Sequence, residues 1–304
     1  MPIAILLVSS DAQFREDIKT QFSIKHPDVE VYLPGDEGAE KAELAACWHP
    51  PASLLNDYPN LKLLHALSAG VDHLGKNLLD SALPVCRIVD PNQKHGMFEY
   101  ILWGILNFQR DFEVYRKQQC RQHWQTFEQR SAAQTRVTLL GLGEIGAYVA
   151  QQLALLGYHV NGWSRTHKNL PNVSCFSGQD SLDSILRNTD ILVNLLPLTS
   201  ATQGILSRNL FAKLPKGSYL VNCGRGGHVQ VNDLIMAVAE EQLKGALLDV
   251  FDEEPLPLND PLWTTPNIII TPHIASSSSI ATIVNQVVEN MNLYENQQPL
   301  KNQI

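Results

Sequence analysis

Three residues far apart in the chain carry the chemistry that this sequence can do: Arg225, Glu254 and His273. Arg225 stands in CGRGG, between Gly224 and Gly226. Its planar fork of donors can bind a carboxylate bidentately and polarise a neighbouring carbonyl. His273, in NIIITPHIA, has the one side-chain type whose ordinary pKa lies near neutrality, so it can give or take a proton at working pH. Glu254, in FDEEPLP, is the carboxylate that can hold the imidazole's tautomer and favour its charged form. A fixed cation and a poised acid are what a carbonyl needs when hydride reaches its carbon, because its oxygen gains charge and then a proton. Blander readings stay open here: Arg225 as a phosphate or structural contact, His273 as a structural histidine at a strand end, Glu254 as a turn cap. Spacing alone does not show that Glu254 and His273 meet.

Such side chains need a frame, and its centre is the stretch Arg136 to Gly157, RVTLLGLGEIGAYVAQQLALLG. Val137 to Leu140 suits a buried strand and runs straight into Gly141, Gly143 and Gly146, spaced G-x-G-x-x-G. Val149, Leu153 and Leu156 then recur at helical intervals, and Gly157 ends the run. In this strand–turn–helix context the spacing predicts dinucleotide binding. Gly141 allows the turn, Gly143 admits a pyrophosphate and Gly146 lets the helix sit on the strand. The helix start at Glu144 and Ile145 turns its N–H groups to the phosphates. Ordinary turns carry the same pattern.

The next strand, Tyr158 to Trp163, selects the dinucleotide. An NAD site places Asp or Glu at its end for the ribose hydroxyls. Here stand Ser164, Arg165 and Thr166, followed by His167 and Lys168. A hydroxyl and two cations suit the extra phosphate of NADP, which a carboxylate would repel. The expected cofactor is therefore NADP(H), with NAD(H) possible; a solvated basic turn reads the same way.

The bulk properties narrow the class. A chain of 304 residues suits two ordinary domains or one large one, and 44% hydrophobic residues suffice for a substantial core. A formal charge of −8 argues against nucleic acid or an anionic membrane as main partner. Cys47, Cys86, Cys120, Cys175 and Cys223 are scattered and form no C-x-x-C, which fits free thiols in a reducing cytosol and no metal site. The start MPIAILLVSSDAQ lacks a basic leader and reads as a first strand. No run is long enough to span a bilayer, so the expectation is a soluble cytoplasmic protein.

In chain order, short apolar runs at Ile3–Val8, Val29–Leu33, Ala42–Cys47, Lys62–Leu67 and Val85–Val89 alternate with helical stretches such as Ala12–Phe22. That is a small α/β domain with a parallel sheet. Within it Ser68–Asp72 is either an anion-binding nest or a plain turn. Pro91 to Gln93 reads as a hinge. From Lys94 to about Gln119 a single long helix is expected, with Tyr100, Ile101, Trp103, Gly104, Ile105, Phe108 and Phe112 on its apolar face. Cys120 to Gln134 is an arm whose Trp124 and Phe127 dock either on a second subunit or on their own. Further strands at Asp190–Leu195, Ser218–Asn222, Gly245–Val250 and Asn267–Thr271 lead into the loops of Arg225, Asp249, Glu254 and His273. Those loops should share the cofactor's side of the sheet. Ala281 to Tyr294 is an amphipathic helix that returns to the first domain.

VTLLGLGEIG, NLLPLTSATQGIL, VNCGRGGHVQVNDLI, GALLDVFDEEPLPLNDPLW and NIIITPHIA stand in the order and spacing of the D-2-hydroxyacid dehydrogenases. The chain resembles that family over nearly the whole cofactor domain and more weakly before it. CWHPP, LSAGVD and GWSRTHK resemble its glyoxylate/hydroxypyruvate reductase A branch, which favours NADPH. The resemblance implies two doubly wound parallel-sheet α/β domains with the active site in the cleft between them. Residues 93–280 would be the Rossmann NADP(H)-binding domain, and 1–92 with 281–304 a flavodoxin-like substrate domain; the family is usually homodimeric. It further implies that Arg225 binds and polarises the substrate, that His273 is the acid/base and that Glu254 is its partner. Asp249 would hold the nicotinamide carboxamide, and Ala69 and Gly70 the substrate carboxylate. Trp48 would wall the pocket, while Leu196, Pro197 and Cys223 line the cofactor. Nothing visible activates Cys223, which reads as packing. The run Ser276–Ser279 falls where relatives vary. The implied reaction is reduction of glyoxylate or hydroxypyruvate to glycolate or D-glycerate. The alternatives are an NAD-linked 2-hydroxyacid or phosphoglycerate dehydrogenase and a non-catalytic dinucleotide sensor.

Overall fold

Runs of Leu, Ile, Val and Ala bounded by Gly, Pro, Asn and Asp fold as short buried strands, and the stretches between them as covering helices. The computed structural model describes residues 3–304. The chain divides into two units, Met1–Asn92 with Ser277–Ile304, and Gln93–Ser276.

The first unit holds β1 (Ile3–Ser9), β2 (Val29–Tyr32), β3 (Leu44–Trp48), β4 (Leu63–Ala66) and β5 (Val85–Cys86). All pairs are parallel, in the order β2-β1-β3-β4-β5, which is the flavodoxin-like winding. Both faces of the sheet are apolar. Ile5, Leu7 and Leu63 pack with Phe22 of the helix Ala12–Lys25 and with Ile283, Val287 and Met291 of the helix Ile280–Glu295. Leu6, Val8, Ala45 and Leu64 point to the other side. The chain after the last helix covers the β5 edge, Arg87 N donating to Asn302 O at 3.2 Å and Ile304 N to Val85 O at 3.0 Å.

The second unit holds β6 (Arg136–Leu140), β7 (His159–Trp163), β8 (Ser174–Phe176), β9 (Ile191–Asn194), β10 (Ser218–Asn222), β11 (Leu243–Leu248) and β12 (Ile268–Ile270). They form one parallel sheet, β12-β11-β10-β9-β6-β7-β8, so the winding reverses beside β6 as in a Rossmann sheet. The three-residue β8 carries too short a signal to stand out in the sequence.

One expectation is corrected. The segment 94–119 is two helices, Gln93–Gln109 and Phe112–Cys120. Asp111 between them adopts a left-handed φ of 51°, and its carboxylate takes Lys244 Nζ at 2.6 Å. Ile101, Gly104, Ile105 and Phe108 face the core as expected. Trp103 is 49% exposed, because two residues beyond Ile101 is about 200° round the helix. Phe112 lies past the break and is likewise exposed, as is Leu156, at the end of the helix Glu144–Leu155. Among the described residues no helix is long and apolar enough to cross a membrane.

His65, in the middle of β4, is fully buried. Its Nδ1–H donates to Ala66 O at 2.8 Å, and its Nε2 accepts from Asn290 Nδ2 at 3.0 Å. Asn290 in turn clamps the backbone of Lys301, donating to its O at 3.1 Å and accepting from its N at 2.8 Å. Burial lowers the imidazole from 6.5 to about 4, against a smaller upward pull from Ala66 O. The unfolded chain therefore binds the extra proton at higher pH than the folded one, and stability is lost as pH falls from about 6.5 towards about 4. We expect His65 to contribute about 3 kcal/mol to this loss in denaturant titrations of the intact chain. His65→Gln should lack that share; equal slopes between pH 7 and 4 in the two chains would refute it.

Candidate active site

Every residue of interest in the second unit stands just past the C-terminal end of a parallel strand. The turn after β6 is shaped by contact distances. Gly141 has φ +101°, and a Cβ on Gly146 would lie 1.9 Å from Gly141 O. The helix Glu144–Leu155 can start this close to β6 only because neither residue carries a side chain. Gly143 caps that helix without a side-chain hydrogen bond, and a Cβ there would meet open space. The first-turn N–H groups thus lack a capping side chain and face a free approach, which fits a pyrophosphate. Glu144 is exposed, and Ile145 is half-buried against the core.

At the end of β7 Ser164 is buried and its hydroxyl donates to Thr166 O at 2.8 Å, which bends the turn. Arg165, Thr166, His167 and Lys168 are exposed. This basic rim, with no carboxylate among those five positions, fits an anionic group on the ribose. After β9, Leu196 is buried and Pro197 exposed. Cys223, after β10, belongs to the core, and burial raises its thiol well above the ordinary value. It is therefore a neutral packing group and no nucleophile.

Arg225 follows in the same loop, its Nη1 donating to Gly224 O at 2.8 Å. A Cβ on Gly226 would lie 1.8 Å from the carbonyl carbon of Phe251, so the arginine loop rests directly on the loop after β11. There Glu254 Oε1 accepts from Phe251 N at 2.8 Å, and Oε2 pairs with His273 Nδ1 at 2.8 Å. With Nδ1–H committed to Glu254, the exchangeable proton of the imidazole is the one on Nε2.

Asp249 braces the histidine. It is 1% exposed, and its carboxylate accepts from Thr271 Oγ1 at 2.7 Å and from the N–H groups of Ile274 and Ala275 at 2.8 Å each. Its backbone O accepts from His273 N at 2.9 Å. These bonds hold His273 at a left-handed φ of 55°, a conformation that a side-chain-bearing residue keeps only when its surroundings enforce it. Tyr100 Oη extends the chain to Thr271 Oγ1 at 2.5 Å.

The titrations follow from the contacts. The hydrogen bond to Glu254 raises the His273 imidazole above its ordinary value, against burial, while the Arg225 charge pulls the other way. Burial pushes the Glu254 carboxyl up, but His273 and Phe251 N outweigh it and the net shift is down. Burial raises Asp249 in spite of its donors. Arg225 therefore lies close enough to act electrostatically on both members of the pair.

In the first unit, Trp48 ends β3 within a ring cluster. Its ring centroid lies 6.2 Å from that of Phe14, 4.8 Å from His49 and 4.5 Å from His73. Ala69 and Gly70 follow β4; Arg87 Nη1 donates to Ala69 O at 3.2 Å and Ser68 Oγ to Gly70 O at 2.8 Å, which sets the backbone of that loop. Nothing in the sequence distinguishes His49 and His73 from surface histidines. The buried partners of the arginine loop, Asn194, Asn222 and His228, carry no signal of their own in the sequence, although all three lie within the motifs NLLPLTSATQGIL and VNCGRGGHVQVNDLI.

Residues 102–275 match the family model "D-isomer specific 2-hydroxyacid dehydrogenase, NAD binding domain". The chain belongs to the D-isomer specific 2-hydroxyacid dehydrogenase family. It is 35% identical to the glyoxylate/hydroxypyruvate reductase A of Klebsiella pneumoniae, the alignment covering 96% of each chain. Among solved structures, a D-isomer specific 2-hydroxyacid dehydrogenase family protein from Klebsiella pneumoniae matches with a TM-score of 0.95 at 47% identity, over 99% of this chain and 97% of that one. A D-isomer specific 2-hydroxyacid dehydrogenase from Xanthobacter autotrophicus, in complex with NADPH and MES, matches with a TM-score of 0.87 at 37% identity, over 100% and 98%.

The pairing has a direct readout. In an NMR titration, Glu254→Gln should move the His273 midpoint to lower pH, since the largest upward influence is gone; an unmoved midpoint would mean that the pair does not form in solution.

Proposed function

We propose that the chain reduces small 2-keto acids with NADPH, glyoxylate and hydroxypyruvate being the expected substrates and glycolate and D-glycerate the products. The observation that carries this reading is the Glu254–His273 pair, 2.8 Å apart, set beside the Arg225 loop at the same end of the sheet as the glycine turn. NAD(H) is a weaker second cofactor. Residues 93–280 form the cofactor-binding part, with Gly141, Gly143, Glu144, Ile145 and Gly146 at the phosphates and Ser164, Arg165 and Thr166 at the 2′-phosphate. Leu196, Pro197 and Cys223 line the cofactor, and Asp249, beyond bracing its loop, serves the carboxamide. Residues 1–92 with 281–304 form the substrate part, contributing Trp48, Ala69 and Gly70. When bound, the reduced nicotinamide supplies the hydride.

The residues of the chain do the rest. Arg225 takes the substrate carboxylate and lends positive charge to the neighbouring carbonyl. His273, kept protonated by Glu254, gives its Nε2 proton to the carbonyl oxygen. Buried Asp249 keeps the histidine loop from shifting. The apolar surface at Trp103, Phe112 and Trp124, the last 94% exposed, supports a homodimer, and the free cysteines support a reducing, cytoplasmic setting.

The test is a side-by-side rate comparison of NADPH and NADH with glyoxylate, hydroxypyruvate, pyruvate and phosphohydroxypyruvate. NADPH with the unphosphorylated acids should be fastest, and Arg165→Ala should weaken NADPH about tenfold. Arg225→Ala should cut kcat/KM for glyoxylate by about a thousandfold. Preference for NADH and the phosphorylated acid would favour the phosphoglycerate reading, and tight NADPH binding without turnover the sensor reading.

The pH profile carries a sign. Reduction needs protonated His273, whose pKa is raised, so the rate should fall as pH rises through that value while oxidation of the hydroxy acid gains. Glu254→Gln should shift the fall to lower pH; a profile indifferent to this change would remove His273 from the proton transfer.

A further inference from the structure

Two side chains at the ends of β9 and β10 stand opposite each other, since Asn194 and Asn222 are register partners. Both are fully buried, and so is His228 in the turn Gly226–His228 beyond them. Buried polar groups must find partners, and these find one another. His228 Nδ1 receives Arg225 N–H at 3.1 Å and Asn194 Nδ2 at 2.9 Å. A backbone N–H can only donate, so Nδ1 is the bare acceptor and Nε2 bears the proton, which it gives to Pro197 O at 3.3 Å. Asn194 has no freedom to flip: its Nδ2 also donates to Asn222 Oδ1 at 2.9 Å, and its Oδ1 accepts from Leu196 N at 3.3 Å. Asn222 Nδ2 donates to Arg225 O at 3.2 Å. Both backbone polar groups of Arg225 are thus held by buried side chains. A Cβ on Gly224 would come within 2.7 Å of Asn194 Nδ2 and 3.0 Å of His228 Nδ1, so the network fills the space beside the arginine.

We propose that His228 is a positioning residue whose two ring nitrogens set, independently, the substrate-binding arginine and the Leu196–Pro197 turn that lines the cofactor. Nδ1 fixes the Arg225 backbone from which the guanidinium is aimed, and Nε2 fixes the Pro197 carbonyl. Burial, its largest influence, lowers the imidazole, and the Arg225 charge adds to this. A second proton would place an N–H against Arg225 N–H and the Asn194 amide, so the ring works in its neutral form. The inference rests on the reading that Arg225 binds a keto acid and that Pro197 lines the NADPH site.

The ring can be divided experimentally. His228→Asn keeps an acceptor near the Nδ1 position but cannot reach Pro197; His228→Gln reaches the Nε2 position but leaves the near one unfilled. For glyoxylate at saturating NADPH, kcat/KM should stay within about threefold in His228→Asn and fall about a hundredfold in His228→Gln. NADPH Kd, from its fluorescence, should do the opposite, rising about tenfold in His228→Asn and staying within about threefold in His228→Gln. Melting temperatures are read alongside, because a role in packing alone would lower stability without this crossed pattern. Both parameters falling together in both variants, neither moving, or any other uncrossed result overturns the proposal. If the unaltered chain reduces no keto acid, the functional reading fails by itself; the same crossed pattern is then sought in the Kd values of oxamate and NADPH, and its absence there overturns the positioning role.

Discussion

A carboxylate without water must be surrounded by donors, and at Asp249 that requirement shapes the loop that follows β12. Removing an ionised group from solvent costs far more than one hydrogen bond returns. Asp249 is almost fully enclosed, so the chain from Thr271 to Ala275 folds around it and delivers a hydroxyl and two backbone N–H groups. The geometry that satisfies the aspartate leaves His273 at positive φ with its Nδ1 on Glu254. The imidazole is therefore aimed by a buried neighbour that does not touch its ring. Loosening Asp249 would release a strained residue, which is why the brace extends through Thr271 to Tyr100 on the helix Gln93–Gln109.

The sheet explains why so much polar chemistry collects at one end. In a parallel sheet every strand points the same way, so the turns after β6, β7, β9, β10, β11 and β12 open on one edge. The central strands β6, β9, β10 and β11 are buried almost throughout, so the strand ends are where polar side chains can be offered to a ligand. Where two such turns touch, glycine is the residue that fits. Gly226 allows the arginine loop to lie on the backbone of Phe251, three residues before Glu254. A methyl group there would push the cation away from the pair whose titration it tunes.

Most of this frame could be read in advance because its signals are local. A run such as Arg136–Leu140 ending in Gly141 needs nothing distant to form a strand and a tight turn, and the strand cores of both sheets, the short β8 apart, are visible in the same way. The helix break was not: it falls at Asp111, whose left-handed backbone leaves no periodic signal and whose partner, Lys244 of β11, lies 133 positions away in sequence. The apolar surface of Trp103 was misjudged for a related reason: its hydrophobic character says nothing about which side of the helix it occupies. Among the chemical groups, Arg225, Glu254 and His273 were legible by type and position, but their meeting was not, because the glutamate and the histidine stand 19 positions apart in the loops before and after β12. Asn194 and Asn222 gave no signal, since asparagine closing an apolar run usually marks a turn; strand pairing shows them to be partners at the last position of β9 and β10.

The site thus depends on two buried polar groups of opposite character. Asp249 is a carboxylate that gathers donors and organises the loop of His273; His228 is an imidazole that accepts with one nitrogen and donates with the other. Neither is replaceable by an apolar residue of similar size without stranding several backbone groups, so each carries a cost of burial that a purely structural core would avoid. What that cost secures is aim. Groups that are to act on one small molecule must be held to within a fraction of an ångström of their working places. Side chains on loops achieve that when the loop backbone is itself bonded: Arg225 is held at both its N–H and its C=O by buried side chains, and His273 by its N–H on Asp249 O together with the next two N–H groups on the Asp249 carboxylate.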